Sequence, residues 1–395
     1  MTTRRDFLAG MALGAAALAC DSAEKADVQK SEELFGFGTG ETITFGRTNL
    51  KASRIGLGAA HFTGNKTLDE GTRFVHQVLD SGINLIDTAW NYGKDMASWR
   101  YLGAAFKERS RDDFILSNKF EWKVRSPFDK LSVEEQVDES LKILNVDHFD
   151  MYLYHNLQTP EKYYDIINRG LIEDFIKVRE KGKVRFIGVS GHSHPYMIHL
   201  CKRYPELDVV LGGMNIMKEY FYFDQDARHM NDYAKRNNIG ILSMKPFLMG
   251  ALTQNHSLAL KYSMTQPMSV PIPGMTEPEH IVANTKAARE FSSLSLAEQK
   301  RYKDPETLLD GPACTGCKYC TLGESDDINV PELVMAAQYG ERFGLRAWQS
   351  KAQMQNKKLA KDIQKITPEM AKRYSMKCPR ELPVEELLKK SARYV

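Results

Sequence analysis

The sequence predicts an α/β chain, a (β/α)8 TIM barrel followed by a small helical domain. Along residues 42–295, runs that read as β-strands alternate strictly with helical patterns, which implies a parallel sheet. Four blocks rich in polar chemistry close or follow such strands: Asp87-Thr88-Ala89-Trp90-Asn91-Tyr92-Gly93, Ser117-Asn118-Lys119-Phe120, Leu153-Tyr154-His155 and Val189-Ser190-Gly191-His192. In a parallel barrel the carboxyl ends of the strands share one face, where catalytic groups collect. The length of 395 residues holds one barrel of about 250 residues and a smaller unit.

The elements follow in order. Residues 1–19 read as an export signal: Thr3-Arg4-Arg5-Asp6-Phe7-Leu8 matches the twin-arginine pattern, and an apolar stretch runs from Phe7 to Ala19. That stretch is shorter than the roughly 20 apolar residues a membrane span takes. Ala17 and Ala19 suit signal-peptidase cleavage, and Cys20 also suits the lipoprotein route, although Ala17 stands where Leu is preferred. The expected partners are thus the twin-arginine export machinery and, through a lipidated Cys20, a membrane; the expected location is the periplasm or outer envelope. Residues 20–41 read as a polar tether.

Thr42–Phe45 and Lys51–Arg54 flank Gly46-Arg47-Thr48-Asn49 as a hairpin. Barrel strands are predicted at Ile55–Leu57, Asn84–Asp87, Phe114–Asn118, Phe149–Leu153, Val184–Val189, Val209–Leu211, Gly240–Met244 and Ser269–Ile272. Between and after them the helical periodicity predicts Leu68–Ser81, Ser98–Glu108, Val133–Leu144, Leu171–Lys181, Pro195–Tyr204, Gln225–Asn237, Leu258–Met264 and Glu277–Phe291. Residues 296–395 form the second domain.

With 42% hydrophobic and 27% charged residues, the composition is that of a globular protein with a sizeable core. A net charge of +3 gives no case for a nucleic-acid partner. Residues 351–395 hold twelve Lys/Arg against five Asp/Glu; this is either a solvated helix face or a dock for an acidic surface.

Asp87, Tyr92, Lys119 and His155 converge on the predicted carboxyl face. A free tyrosine has a pKa of roughly 10, and a nearby ammonium favours its phenolate. Lys119 is therefore expected to lower the pKa of Tyr92, with Asp87 orienting Lys119 and His155 donating to a substrate carbonyl. This tetrad resembles that of the aldo-keto reductase superfamily, over about Ile43 to Phe291. The resemblance implies that Tyr92 is the general acid, that the hydride comes from a nicotinamide, and that the hairpin plugs the barrel floor. It also implies cofactor contacts. Ser190 is similar to the family's nicotinamide-binding Ser, with Gly191 where Asn is commonest, and Asn215 offers an amide. Met244 stands where many relatives stack a Tyr. Gly274, Thr276 and Asn284 are similar to the segment that holds the adenosine end, with helix amides facing phosphate. The cations that NADP-specific relatives carry near Met275 and His280 are absent, so NADP, or NAD, is the expected cofactor.

Cys314-Thr-Gly-Cys317-Lys-Tyr-Cys320 has the spacing of a [4Fe–4S] run; zinc and disulfides are the alternatives. The fourth ligand is expected to be Cys378, in a Cys-Pro segment that resembles the opening of the last helix of ferredoxin-like domains; Glu324 is the rival. Thiolate is the softer ligand and suits iron–sulfur chemistry better. Cys201 reads as a buried small hydrophobe. The expected function is an exported oxidoreductase interconverting a carbonyl and an alcohol on a small polar molecule, with a sugar stacked by Trp90, Trp122 or Tyr220 as one candidate. Its nicotinamide cofactor is expected to be tightly bound. The alternative is a non-catalytic or electron-transfer module.

Overall fold

The computed structural model describes residues 40–394 apart from 65, 122–127, 129, 217–226, 251, 303–307, 309–310, 315–316, 326 and 344–357. The export signal, Cys20, nearly all of the tether, Trp122 and Tyr220 lie outside the described residues.

A hairpin of β1 (Ile43–Phe45) and β2 (Leu50–Ala52) opens the fold. Eight strands then form one parallel sheet in sequence order: β3 (Leu57–Gly58), β4 (Leu85–Asp87), β5 (Ile115–Glu121), β6 (Phe149–Leu157), β7 (Val184–Gly191), β8 (Val209–Gly213), β9 (Gly240–Met244) and β10 (Ser269–Pro271). The first and last strands are brought together by N–H donation from Gly56 to Pro271 O at 2.9 Å and from Gly58 to Pro273 O at 3.0 Å.

Helices cover the outside: α1 (Leu68–Asp80), α2 (Ala97–Phe106), α3 (Val133–Leu144), α4 (Pro160–Asn168), α5 (Leu171–Glu180), α6 (His194–Arg203), α7 (Ala227–Asn237), α8 (His256–Thr265) and α9 (Pro278–Arg289). Their starts are written locally. Thr67 with Glu70, and Ser132 with Glu135, form capping boxes on α1 and α3, each satisfying orphan N–H groups. The sequence did not predict α4. Its apolar stripe is short, Ile166 buried with Tyr163 and Ile167 packed beside it; Thr159 and Pro160 are its start signals.

Period-two alternation divides the barrel into two cores. Leu85, Ile115, Met151, Leu153, Val209, Leu211 and Leu242 point inward and pack with Phe45, Leu50 and Ala52 of the hairpin, which therefore plugs the floor. Ile86, Leu116, Phe120, Tyr152, Tyr154, Ile187 and Val210 point outward to the helices. The hairpin can sit this close because Gly46 has no Cβ: one there would stand 2.4 Å from Gly240 N, and its φ of +51° is left-handed.

Beyond the barrel come α10 (Leu296–Tyr302), α11 (Val330–Phe343), a helix over 358–364 (α12), α13 (Pro368–Met376) and α14 (Val384–Ser391). Val330, Leu333, Val334, Leu359, Tyr374, Leu382, Val384, Leu387 and Leu388 form a separate apolar core there. A bridging cluster joins it to the barrel, with Leu252, Leu258 and Tyr262 on one side and Leu308, Met335 and Ala336 on the other. Among the described residues no helix is long and apolar enough to cross a membrane.

Candidate active site

Inward positions of the strands, followed to their carboxyl ends, change from apolar to polar. Leu85 is succeeded by Asp87, Ile115 by Ser117, Lys119 and Glu121, Leu153 by His155, and Phe186 by Gly188 and Ser190. The predicted residues Asp87, Lys119, His155 and Ser190 thus share one face of the sheet. Strands β5 and β6 run past their predicted ends at Asn118 and Leu153, because Lys119 pairs with Leu153 and Glu121 with His155 across the ladder.

Lys119 is wholly buried; its Nζ donates to Asp87 Oδ2 at 2.6 Å and to Thr88 O at 2.9 Å. The other Asp87 oxygen accepts from Ser117 Oγ at 2.8 Å. Burial opposes the Lys119 charge, but Asp87 and Tyr92 outweigh it and raise its pKa. Tyr92 lies on the loop after β4, its N–H on Ala89 O at 3.2 Å and its carbonyl on Ser98 N–H at 3.0 Å. Lys119 Nζ stands 4.9 Å from the centre of the Tyr92 ring.

The expected shift of Tyr92 is corrected by this geometry. Burial raises its pKa; Lys119 opposes by charge and hydrogen bonding, while the Asp87 and Glu121 carboxylates push it up, and the balance is upward. The sequence suggested the cation but not the burial or the second carboxylate.

His155 Nδ1 is hydrogen-bonded to Glu121 Oε1. Trp90 is half-buried and packs edge-on against Phe128 at 6.4 Å.

The later strand ends hold most of the predicted cofactor residues. Ser190 and Asn215 are buried at the ends of β7 and β8, and Met244 is half-buried at the end of β9. Gly274 is exposed and Thr276 half-buried in the segment after β10. Asn284 is buried, and its Oδ1 bonds His256 Nε2 at 2.7 Å, so its amide oxygen is engaged within the fold. The amides of Thr276 and Glu277 donate to His280 Nδ1 at 3.2 and 3.3 Å. An ammonium from outside this segment stands against it: Lys66 Nζ donates to Thr276 O at 2.7 Å and faces Glu277 at 3.8 Å. The donor set fits a dinucleotide, with a hydroxyl and an amide at one end of the strand row and an ammonium at the other. Neither Lys66 nor Glu121 belongs to a motif visible in the sequence.

In the C-terminal core, Cys314, Cys317, Cys320 and Cys378 line one pocket with Lys318, Pro331 and Val334. Gln338 clamps the loop, accepting from Cys314 N–H at 2.7 Å and donating to Pro312 O at 2.8 Å. Cys320 sits on a short helical turn, Tyr319–Thr321. Burial, with Cys317 and Cys378 nearby, pushes its thiol up to about 11. Glu324 is absent from the pocket lining; its carboxylate is paired with Lys377 and, at 3.2 Å, with Arg373. Among the described residues no group of three or more His, Cys, Asp or Glu stands ready to hold a metal ion. Cys201 is buried on α6, as expected, with its thiol pushed up to about 12 by burial.

The arrangement at the barrel mouth can hold a phenolic proton beside a fixed ammonium and offer a second polar group from His155. The model of the aldo/keto reductase family matches residues 54–257. An L-galactose dehydrogenase of Arabidopsis thaliana is 25% identical over 310 residues, 68% of this chain and 94% of that protein. The aldo-keto reductase YhdN of Bacillus subtilis is 32% identical over 54% of this chain and 64% of its own length. Among solved structures, an aldo-keto reductase of Bacillus halodurans in its holo form shares the fold at a TM-score of 0.57 and 21% identity, covering 67% of this chain and 95% of that one. One of Klebsiella pneumoniae, in complex with NADPH, does so at 0.55 and 20%, covering 69% and 96%. The chain belongs to the aldo/keto reductase family of NAD(P)-dependent oxidoreductases.

Proposed function

We propose that this chain is an exported oxidoreductase that interconverts a carbonyl and an alcohol on a small polar molecule, with Tyr92 as the proton donor. The observation that carries the reading is the buried Lys119–Asp87 pair beneath the Tyr92 ring. A bound nicotinamide supplies or accepts the hydride. Asp87 and Thr88 fix Lys119, and Lys119 holds the Tyr92 side chain at the mouth. The Tyr92 hydroxyl gives its proton to the carbonyl oxygen as that oxygen gains charge, and His155 steadies the same oxygen. The raised pKa of Tyr92 leaves its proton in place until the carbonyl oxygen gains charge.

NADP is favoured over NAD, supported by the Lys66 ammonium beside Thr276 and by the NADPH in the Klebsiella pneumoniae relative. The L-galactose dehydrogenase relative supports a sugar as the substrate class. Ser190, Asn215, Met244, Gly274 and Thr276 are assigned to the cofactor. Asn284 is assigned to it as well, with its Oδ1 paired to His256 Nε2.

The four-cysteine pocket is assigned to a [4Fe–4S] cluster held by Cys314, Cys317, Cys320 and Cys378. A cluster presents its iron atoms at separate corners, so its thiolates need not crowd one point as the ligands of a single ion do. The apolar walls and the exclusion of Glu324 support four-thiolate ligation. A structural role fits best, since a hydride carries two electrons and a cluster accepts one. Export by the twin-arginine route, which carries folded proteins, is consistent with both cofactors being inserted before export. Tight nucleotide binding follows from that order.

A panel of aldoses and small carbonyls, assayed with NADPH and NADH, tests the reading. NADPH-dependent reduction of at least one polar carbonyl is expected. No turnover on any member with either nucleotide would contradict it.

A further inference from the structure

Glu121 has no place in the tetrad, yet its side chain is as deeply buried as that of Asp87. It ends β5, two residues beyond Lys119, and so faces the same side of the sheet. Its lateral partner in the ladder is His155, whose own partner on the next strand is Ser190. Glu121, His155 and Ser190 therefore stand in one row across β5, β6 and β7. The Glu121 side chain is 2% exposed and that of His155 18%. Gln136 donates to the Glu121 backbone carbonyl at 3.2 Å and to Phe128 O at 3.1 Å, which pins the end of β5 without using the carboxylate. A buried carboxylate is costly unless paired and hydrogen-bonded, and its partner here is His155 Nδ1.

We infer that Glu121 is a positioning residue for the carbonyl–alcohol reaction: it holds His155 by Nδ1 and retains the proton on Nε2 that faces the substrate oxygen. The inference rests on the proposed reaction. With Nδ1 committed to Glu121, only Nε2 is left for substrate. When the pair is fully protonated, one proton lies between Nδ1 and the carboxylate and the other on Nε2, which donates to a carbonyl. Loss of one proton to solvent leaves Nδ1–H on the carboxylate and a lone pair on Nε2, which repels a carbonyl oxygen but accepts from an alcohol.

Other groups bear on this pair. The Glu121 charge is felt by Tyr92 from the loop after β4, by Tyr152 and Tyr154 of β6, and by Lys162 of α4. Asp165 and Arg169 of α4 reach Tyr154, and the Asp87–Lys119 pair lies beyond Tyr92. Lys162 shares the carboxylate's field, but the hydrogen bond belongs to His155.

The test is the isosteric Glu121→Gln, with two readouts. In the protein without substrate, imidazole 15N NMR of His155, assigned with His155→Asn, reads the Nδ1 hydrogen bond to the carboxylate and which ring nitrogen carries a proton. Glu121→Gln is expected to lose the Nδ1–carboxylate signature seen in wild type. In carbonyl reduction Glu121→Gln is expected to lower kcat roughly tenfold or more, with KM for the nucleotide unchanged. Glu121→Asp, which keeps the carboxylate on a shorter arm, partly restores kcat. An unchanged signature and kcat in Glu121→Gln would overturn the inference. So would a wild-type His155 with a bare Nε2 at the pH of fastest reduction, and that measurement needs no variant to fold. A wild type inactive on every carbonyl, with the Nδ1 signature still lost in Glu121→Gln, would sink the reaction and leave the Glu121–His155 contact standing.

Discussion

At Lys119 an ammonium with no exposed surface is held by Asp87 at 2.6 Å. Removing one partner of such a pair leaves a buried charge uncompensated, at a cost of about 3–5 kcal/mol. Asp87→Asn is therefore expected to lower the unfolding free energy by about that amount in urea melts at pH 7; a change within experimental error would show the pair to be dispensable. The raised folded pKa of Lys119 sets the sign of the pH dependence. The pair's contribution is fully present below the ordinary lysine range and is lost only as pH climbs through the raised value. Asp87, Tyr92, Lys119 and His155 were legible in the sequence because each sits in a short block with its own strand end. Glu121 was not, since its meaning comes from lateral pairing with a residue 34 positions away. Lys66 reaches Thr276 across 210 positions, a distance at which no local pattern speaks.

Strands β5 and β6 show what alternation can and cannot tell at the level of the element. Their cores were visible as apolar runs, but their extensions place the polar Lys119, Glu121 and His155 inward and continue because each neighbour completes the ladder. Helix α10 shows the opposite case, local chemistry anchoring an element to the barrel. Glu298 accepts from Ser295 N–H at 2.7 Å, and Lys261 of α8 donates to both its oxygens at 2.8 Å. Lys261 and Ser295 together hold the Glu298 carboxyl down to about 2. A depressed folded pKa means stability that is present above the unfolded carboxyl range and is lost as pH falls towards 2. Glu298→Gln is expected to cost about 1 kcal/mol or less at pH 7, because the pair is partly exposed. The difference from wild type should vanish in melts near pH 2; a difference that persists there would assign the effect to packing rather than charge.

Seen whole, the molecule is a barrel whose working face is assembled from its parallel strands, with a helical unit joined to it through the cluster of Leu252, Leu258, Tyr262, Met335 and Ala336. The barrel was legible because its alternation spans eight strands; the helical unit's cysteine spacing was legible, but its packing was not, since its core gathers residues from Cys320 to Leu388. For the proposed cluster, Cys378→Ser is expected to bleach its brown colour or leave a three-iron cluster, measured by iron content and visible absorption. Unchanged iron and spectrum would remove Cys378 from the ligand set. The claim at the centre of the account is that the Tyr92 hydroxyl delivers the proton to the substrate carbonyl. Its most direct test is kcat for carbonyl reduction by Tyr92→Phe at saturating nucleotide, with nucleotide binding followed separately by fluorescence quenching. The expected result is a loss of roughly 10²–10⁴-fold in kcat with binding retained; a variant that reduces the same carbonyl at the wild-type rate would contradict it.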